Sequence, residues 1–439
     1  MIRRMMRWFG TPLPGVDTRE HLGLIAHLSL RLFLIFAAYY LMKPVREALV
    51  LSERGAELRS YGLSIQAVVI MVLFPLYVML SNKMVHERLY RAVTLFFCVS
   101  LLGFIVAIDA GLHVGLSFFV WSGIFSAVQV VQFWSLATDF ATRRNCQFVV
   151  PWIAVGGCLG ALVGAMLARM LESSYAESPE LILGLSLGLL LISLIGTSSR
   201  PASREEVVAD PSVTVAGALL FRLRRLARAR YIRLVFLFVL LLNMLNTIGE
   251  YYLAHLVLQR WHGDREAIGM FYADYFLVIN IMTLLMQLLI VPWFCRHHGL
   301  GVGLLLVIVV NLMMFGVGLM FPTLLSLFTL AKCIENGVGY SFGNTVRQLL
   351  FAPLGQHSRY HGMMLVNGLS WRIGDALQGV VVFAVVEWMG LPKKALLFVG
   401  LLLTMVWLVV VMQIRPMLDK KAKSSDGSPS SARQGAGIG

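Results

Sequence analysis

Residues 39–61 read YYLMKPVREALVLSERGAELRSY and join an apolar segment to a run of charges. Lys43 and Glu47 are four residues apart and Arg46 lies beside them, so a helix places all three near one face. Pro44 has no backbone N–H and can kink a helix or restart one at this position. Charges at the mouth of a membrane helix are either topology signals or part of a passage for a charged solute. The stretch alone leaves both interpretations open.

The composition indicates a polytopic membrane protein. Of 439 residues, 58% are hydrophobic and 14% are charged, and the mean hydropathy is +0.77. These values lie far outside the range of soluble globular proteins. The formal net charge of +14 could indicate nucleic acid, but Lys and Arg stand mostly between apolar segments, as topology determinants do. We therefore expect membrane lipids, and no nucleic acid, as partners.

The sequence carries no signature of metal or hydrolytic chemistry. Five cysteines stand in or beside apolar segments without CxxC spacing, which is typical of small packing residues. No P-loop or other hydrolytic motif occurs. We therefore expect no metal, no cofactor and no enzymatic activity, with energy supplied by solute exchange or an ion gradient. The cysteines are Cys98, Cys146, Cys158, Cys295 and Cys333.

Hydropathy predicts twelve spanning helices, each close to the ~20 residues that a crossing requires. Lys and Arg are roughly three times as frequent on the side that holds both termini as on the other side, which places both termini in the cytoplasm. The predicted spans are 24–43, 62–80, 91–109, 114–138, 148–169, 181–197, 232–257, 269–294, 300–319, 322–345, 362–388 and 394–414.

The longest connection divides the predicted helices six and six. A basic cytoplasmic linker between two six-helix halves resembles the major facilitator arrangement, whose halves flank a site at the membrane midplane. We predict a multi-pass protein of the inner cell membrane. Its parts are a cytoplasmic N-terminal segment, 1–23; an N-terminal half, 24–197; a basic linker, 198–231; a C-terminal half, 232–416; and a disordered cytoplasmic tail, 417–439.

Two features of the first half have plain structural interpretations. Gly156, Gly160 and Gly164 form consecutive GxxxG spacings, which are typical of closely packed membrane helices. Arg31 lies about two turns from the cytoplasmic end of the first span, where we expect its side chain to snorkel to the interface.

Ionisable groups inside apolar segments are costly unless they are paired or hydrated, so they indicate function. Glu250 lies deep in the seventh span, and Asn243 and Asn246 share its helical stripe. Because this span has no Lys or Arg within two turns of Glu250, we favour a functional role for Glu250 over a salt bridge to another helix.

Two i,i+3 pairs occur in later spans, Lys332 with Glu335 and Arg372 with Asp375. The members of each pair can neutralise each other within one helix, so structural and functional roles both stay open. Arg347, at the cytoplasmic end of the tenth span, is either a loop anchor or a cation facing a cavity, and the positive-inside rule favours the anchor. Several cations with a buried acid suit an anionic solute, because Arg and Lys offer phosphate or carboxylate charge-assisted hydrogen bonds.

Five segments in order, YYLMKPVREALVLSERGAE, LSNKMVHERLYRAV, FWSLATDFATRRN, NTIGEYYL and YSFGNTVRQLLFAPLG, resemble segments of the nucleotide transporter family. This family comprises the ATP/ADP translocases of plastids and intracellular bacteria. The resemblance covers nearly all of the membrane domain. It implies twelve helices, exchange of nucleotides, basic residues in helix 1 and near helix 10, and acidic residues in each half.

Matching the segments implies functional positions in this sequence. The basic position after helix 1 falls on Arg46, with Glu47 as its acidic neighbour. The acid of the second half falls on Glu250. The second basic position falls on Arg347, which raises this residue above the anchor interpretation.

The sequence departs from the family pattern in two respects. The acid expected in helix 4 is absent, and FFVWSGIFSAVQVVQFW offers Ser122, Gln129 and Gln132 instead. Arginine replaces lysine at both basic positions, which keeps the charge but changes the hydrogen-bond geometry. The resemblance therefore leaves open whether the solute is an adenine nucleotide or a different anion.

We predict a secondary transporter that moves an anionic, ATP- or ADP-like solute by alternating access or exchange. One alternative is a facilitator for a different organic anion, such as a sugar phosphate or a carboxylate. Another is a membrane sensor or scaffold that moves no solute. The predicted solute-binding residues are Lys43, Arg46, Arg347 and Asn246, and the predicted coupling or gating residues are Glu47, Glu250, Lys332, Glu335, Arg372 and Asp375.

Overall fold

The computed structural model describes residues 18–83, 86–140, 146–171, 179–195, 229–297, 299–351 and 366–426, and every regular element in these ranges is a helix. Helices suit long apolar sequences in a membrane because a helix satisfies its backbone N–H and C=O groups internally. A helix occurs at each of the twelve predicted spans. The predicted all-α architecture is therefore confirmed.

The first six helices are uninterrupted. They are α1 Thr18–Arg54, α2 Ala56–Lys83, α3 His86–Asp109, α4 Gly115–Phe140, α5 Cys146–Met170 and α6 Pro179–Ser193.

Three of the last six helices contain π-helical turns, which often accompany functional sites. The helix α8 is Arg265–Leu285, π-helical Met286–Ile290 and Val291–His297; α10 is Leu325–Val338, π-helical Gly339–Gly343 and Asn344–Leu349; and α11 is π-helical Val366–Ser370, Trp371–Val382 and π-helical Phe383–Trp388. The others are α7 Arg230–Trp261, α9 Gly299–Met320 and α12 Ala395–Asp426.

Within the described ranges, nine helices are long and apolar enough to cross a membrane. The helix α6 is apolar but has only 15 residues. The helices α10 and α11 are divided by their π-helical turns. The chain is therefore a multi-pass membrane protein, and its described helices account for most of the predicted spans directly.

The helix α1 is longer than predicted, because it passes through Pro44 and ends at Arg54 instead of residue 43. A proline inside a helix removes one backbone hydrogen bond, and neighbouring helices support such a defect in a membrane protein. The residues after Pro44 include a run of buried apolar side chains that favours continuing the helix. Gly55 ends it with φ 92°, a left-handed conformation that glycine adopts without strain.

The helix α12 also extends beyond its predicted end. It reaches Asp426 and so covers the start of the segment 417–439 that we predicted to be disordered. The sequence KKAK consists of good helix formers, which explains the extension. The residues after 426, and the predicted linker apart from its last residues, lie outside the described ranges.

The chain divides into two compact units. The first comprises Met1–Val208 and Leu253–Leu284, and the second comprises Ala209–Tyr252 and Leu285–Gly439. The end of α7 and most of α8 thus belong to the first unit. The division at 198–231 into two six-helix halves stays a prediction.

In the first unit, α5 packs against α1 through its glycines. A methyl group added at Gly156, Gly160 or Gly164 would lie 2.2–2.5 Å from a carbonyl oxygen of α1. These positions therefore admit no side chain, and the predicted GxxxG packing is confirmed.

Two apolar clusters show the direction of α1 against its neighbours in this unit. Leu28 and Leu32 of α1 share one cluster with Phe133 of α4. Later residues of α1, such as Leu41, share the other cluster with an earlier residue of α4, Phe125. The helices α1 and α4 therefore run antiparallel.

Candidate functional site

The charges of the opening stretch lie inside α1 and not at its mouth. Ile25–Glu53 is apolar enough to span a membrane, and Arg46 and Glu47 within it are 8% and 0% exposed. The expectation that these charges stand at the exit of a helix is therefore wrong, because α1 continues past Pro44.

Glu47 binds two arginines in the first unit. It forms an ion pair with Arg46, the preceding residue, and Arg59 Nε of α2 donates to its Oε2 at 2.7 Å. Both guanidinium groups lie over the ring of Phe119, at 4.7 and 5.9 Å from the ring centroid. The attraction between one carboxylate and two cations offsets part of the free energy that burying these charges costs. The predicted residues Arg46 and Glu47 are thus brought together.

Arg59 belongs to this cluster although it was not among the predicted site residues. The residue is buried and belongs to the opening stretch, twelve positions after Glu47. The glycine at position 55 could have indicated this contact. A turn at Gly55 brings α2 back beside α1, so charged residues before and after the turn can meet.

Lys43 has a different environment. Its ammonium nitrogen lies over three aromatic rings, at 4.2 Å from the centroid of Phe276, 4.6 Å from Tyr40 and 5.5 Å from Tyr39. The side chain is half-buried, and no carboxylate lies within ion-pair distance of it in the described ranges. Cation–π contacts stabilise a partly desolvated ammonium without neutralising it. Within the described ranges, Lys43 therefore contacts aromatic rings and no carboxylate.

The second unit contains a buried network around Lys332. This fully buried ammonium bonds to the Glu335 carboxylate, lies 3.6 Å from Glu250 Oε1, and donates to the Asn246 carbonyl at 3.1 Å. Asn336 Nδ2 donates to Glu250 Oε1 at 2.8 Å. Four predicted site residues thus lie in one network, held by α7 and α10.

This network bears on two interpretations made from the sequence. Lys332 and Glu335 form the predicted i,i+3 pair. Glu250 has an ion pair to another helix, against our stated preference, because α10 supplies a cation and α7 has no Lys or Arg within two turns of Glu250. A functional role for Glu250 stays a proposal.

The second predicted pair lies beside α7 in the same unit. Arg372 Nη1 is 3.3 Å from Asp375 Oδ2, and Asn243 Nδ2 donates to Asp375 Oδ1 at 2.7 Å. Asn243 also donates to the Trp371 carbonyl at 2.8 Å. The pair therefore also joins α11 to α7.

Arg347 is another half-buried cation without a carboxylate partner in the described ranges. Its Nη2 donates to Asn344 Oδ1 of its own helix at 2.8 Å, and its guanidinium carbon lies 5.2 Å from the Trp371 ring centroid. Its Nε has no hydrogen-bond partner among the described residues. The geometry fits a cation available to an anion.

Arg31 does not snorkel. Its side chain is 3% exposed, lies over the ring of Tyr90 at 5.4 Å, and has Nη1 at 3.6 Å from Glu87 Oε2. The prediction fails because α3 and its acid lie close enough to bury the guanidinium, whereas snorkelling requires an open path to the interface.

Solved transporter structures share this fold. A point mutant of the nucleoside transporter NupG has a TM-score of 0.60 at 14% identity, over 90% of this chain and 99% of that chain. A bacterial homologue of the iron transporter ferroportin has 0.62 at 15%, over 90% and 98%. A point mutant of the Escherichia coli fucose:proton symporter FucP has 0.51 at 14%, over 90% and 98%. The chain therefore has the fold of the major facilitator transporters.

The fold is therefore one that solved membrane transporters share. The sequence itself gives the next step: residues 9–113 match the family described as TLC ATP/ADP transporter. The matched region includes Lys43, Arg46, Glu47 and Arg59. The family resemblance is thus confirmed over this part of the chain. No curated protein matches significantly over any part of it.

Proposed function

We propose that the protein transports an organic anion of the nucleotide class by alternating access or exchange. One observation carries this proposal: Lys43 is half-buried among aromatic rings and has no carboxylate partner in the described ranges. A cation in a partly desolvated site attracts an anion more strongly than one in water does. A phosphate group is an anion that an ammonium binds well.

The rings around Lys43 favour a nucleotide over an aliphatic anion. The ring of Tyr40 contacts the rings of Phe36, Tyr39 and Phe276, with centroids 5.7–6.5 Å apart. Stacking of a base on an aromatic side chain contributes about 1–3 kcal/mol. A sugar phosphate or an aliphatic carboxylate has no aromatic ring and therefore does not gain this stacking energy.

Arg347 is proposed as the anion-binding cation of the second unit, supported by its contact with the Trp371 ring. Asn246, predicted to bind the solute, donates instead to Asn336 Oδ1 at 2.8 Å. We therefore propose that it acts by holding the network around Lys332.

The paired residues are proposed to gate or couple transport. Arg46 reaches an anion only by leaving Glu47, which would still be bound by Arg59. Lys332 lies between two acids, so a change of its partner can accompany a change of state. Arg372 and Asp375, which join α11 to α7 through Asn243, are proposed to couple the movements of those helices. We place the protein in the inner cell membrane with both termini in the cytoplasm, supported by the distribution of Lys and Arg.

Counterflow in liposomes tests the proposal. Purified protein is reconstituted with internal ATP, and uptake of labelled ATP, ADP, glucose phosphate and dicarboxylate is measured. We expect nucleotide uptake, with apparent affinity at least about tenfold weaker in Lys43→Gln and Arg347→Gln, as loss of a charge-assisted hydrogen bond predicts. The exposed cations Lys394 and Arg233 provide matched Gln controls.

The outcomes separate the alternatives. Uptake of glucose phosphate or dicarboxylate without nucleotide supports a facilitator for another organic anion. Absence of uptake for the whole panel, together with nucleotide-independent thermal stability, contradicts transport of this class and leaves the sensor or scaffold.

A further inference from the structure

A second group of buried polar side chains lies in the first unit, apart from Lys43 and Arg46. Its cation is Arg31 of α1, which is 3% exposed. Arg31 Nε and Nη2 have no hydrogen-bond partner among the described residues. These two nitrogens form one edge of the guanidinium, which has the geometry to donate to two oxygens of a carboxylate or phosphate.

Gln132 of α4 is the second member. It is 1% exposed, and neither its Nε2 nor its Oε1 has a hydrogen-bond partner in the described ranges. Amides at such positions normally find partners, because an unsatisfied polar group in a buried site is destabilising. An apolar residue of similar size would avoid this penalty, so the amide indicates something that hydrogen-bonds to it.

Helix geometry places Arg31 and Gln132 at the same level. The rings of Tyr39 and Phe125 are 6.4 Å apart, which fixes the register of the antiparallel helices α1 and α4. Arg31 is eight residues before Tyr39, and Gln132 is seven residues after Phe125. At about 1.5 Å per residue, both lie about 10–12 Å from that contact in the same direction.

The existing partner of Arg31 forms an ion pair with it but no hydrogen bond. Glu87 Oε2 is 3.6 Å from Arg31 Nη1, which is beyond hydrogen-bond distance. Glu87 also has a second cation, because its Oε1 accepts from Arg91 Nε at 3.4 Å. An incoming anion can therefore replace Glu87 at Arg31, because Glu87 keeps its contact with Arg91.

We propose that Arg31 and Gln132 form a second anion-binding site in the first unit, which takes a phosphate or carboxylate group. Two oxygens of the anion accept from Nε and Nη2 of Arg31, and Gln132 Nε2 donates to an oxygen of the same group. Lys43 is twelve residues further along α1, about 18 Å away along the helix axis, so the two sites are distinct. The anionic group comes from a small solute or from a phospholipid headgroup, and the site stands whether or not the protein transports nucleotides.

The test uses the full-length protein in nanodiscs of phosphatidylcholine, titrated with inorganic pyrophosphate and followed by thermal unfolding. Lys43→Gln/Arg347→Gln is the background, so that anion binding at those two cations is weakened. Into this background are introduced Arg31→Gln, Gln132→Leu and Glu87→Gln, with Arg88→Gln as the exposed control on α3. A parallel arm replaces pyrophosphate with nanodiscs containing phosphatidylglycerol.

We expect pyrophosphate to raise the unfolding temperature, with apparent affinity at least about tenfold weaker in Arg31→Gln. Gln132→Leu should stabilise the anion-free protein and lose the anion response, a combination that a misfolded variant would not give. Glu87→Gln should bind the anion more tightly, because its competing carboxylate is gone. The control should resemble the background.

Stabilisation by phosphatidylglycerol alone, lost in Arg31→Gln, assigns the same site to a lipid headgroup. If neither arm responds, or if the response is unchanged in both Arg31→Gln and Gln132→Leu, the proposal is overturned. Failure of nucleotide uptake with an intact Arg31-dependent response would refute the transport proposal alone.

Discussion

Replacing Lys332 by methionine tests whether the buried network of the second unit stabilises the fold. The substitution keeps the length of the side chain and removes the cation that bonds Glu335 and lies 3.6 Å from Glu250 Oε1. Lys332 and Glu335 are 0% and 4% exposed, so water does not replace the lost partner. Removing one member of a buried ion pair costs about 3–5 kcal/mol of unfolding free energy.

Two further variants compare the loss of unfolding free energy when the acid is neutralised with the loss when the cation is removed. In Glu335→Gln, Lys332 keeps Glu250 at 3.6 Å and the Asn246 carbonyl at 3.1 Å, so we expect a loss of about 1–3 kcal/mol. Replacing a buried pair by apolar residues is often neutral. Lys332→Met/Glu335→Leu should therefore be more stable than Lys332→Met alone, with a coupling energy of about 0.5–3 kcal/mol.

Equilibrium unfolding in mixed micelles, followed by circular dichroism and extrapolated to zero denaturant, gives the free energies. The control is Asp274→Asn, because Asp274 pairs with Arg169 at a site where the side chains are 53% and 42% exposed. An exposed pair contributes about 0–1 kcal/mol. The reasoning is refuted if Lys332→Met and Asp274→Asn lose equal free energy, or if the double variant is less stable than Lys332→Met.

Three further predictions concern packing and the site. Gly160→Leu should abolish stable folding, since an added Cβ would lie 2.2 Å from a carbonyl oxygen of α1, whereas Gly184→Leu, with nothing within 4 Å, should fold normally in fluorescence-detected size exclusion. Arg59→Gln should lower the unfolding temperature by leaving Glu47 with one arginine, and Arg59→Lys should restore part of it. Trp371→Ala should weaken nucleotide affinity in the uptake assay several-fold through loss of the ring beneath Arg347, about 0.5–2 kcal/mol, while the exposed Trp388→Ala should not.

The helical architecture could be predicted because hydropathy and length set where a chain crosses a membrane. Boundaries were less predictable where a local rule competed with packing. Pro44 suggested a kink or restart, but the apolar residues after it continue α1 to Arg54. The lysine-rich start of the tail similarly continues α12 as a helix, although its composition suggested disorder.

The members of the candidate site were partly predictable, and their partners were not. Spacing along one helix identified the pair Lys332–Glu335, because i,i+3 neighbours meet whatever surrounds the helix. The contacts of Glu250 with Lys332, and of Glu47 with Arg59, depend on which helices pack together. Sequence separation alone does not contain that information. Arg31 shows the same limit, since its burial follows from the position of α3.

Four cations that we propose to act in transport, two in each unit, fall into two kinds, and the difference bears on how each can release a solute. Arg46 and Lys332 contact carboxylates, whereas Lys43 and Arg347 lie on aromatic rings. Breaking a buried ion pair costs about 3–5 kcal/mol, but a cation–π contact contributes about 0.5–2 kcal/mol. A solute that binds Lys43 or Arg347 therefore displaces a weak contact, and the same weak contact re-forms when the solute leaves. The ion pairs are suited to a slower event, the change of state itself, because breaking one costs more free energy than breaking a cation–π contact.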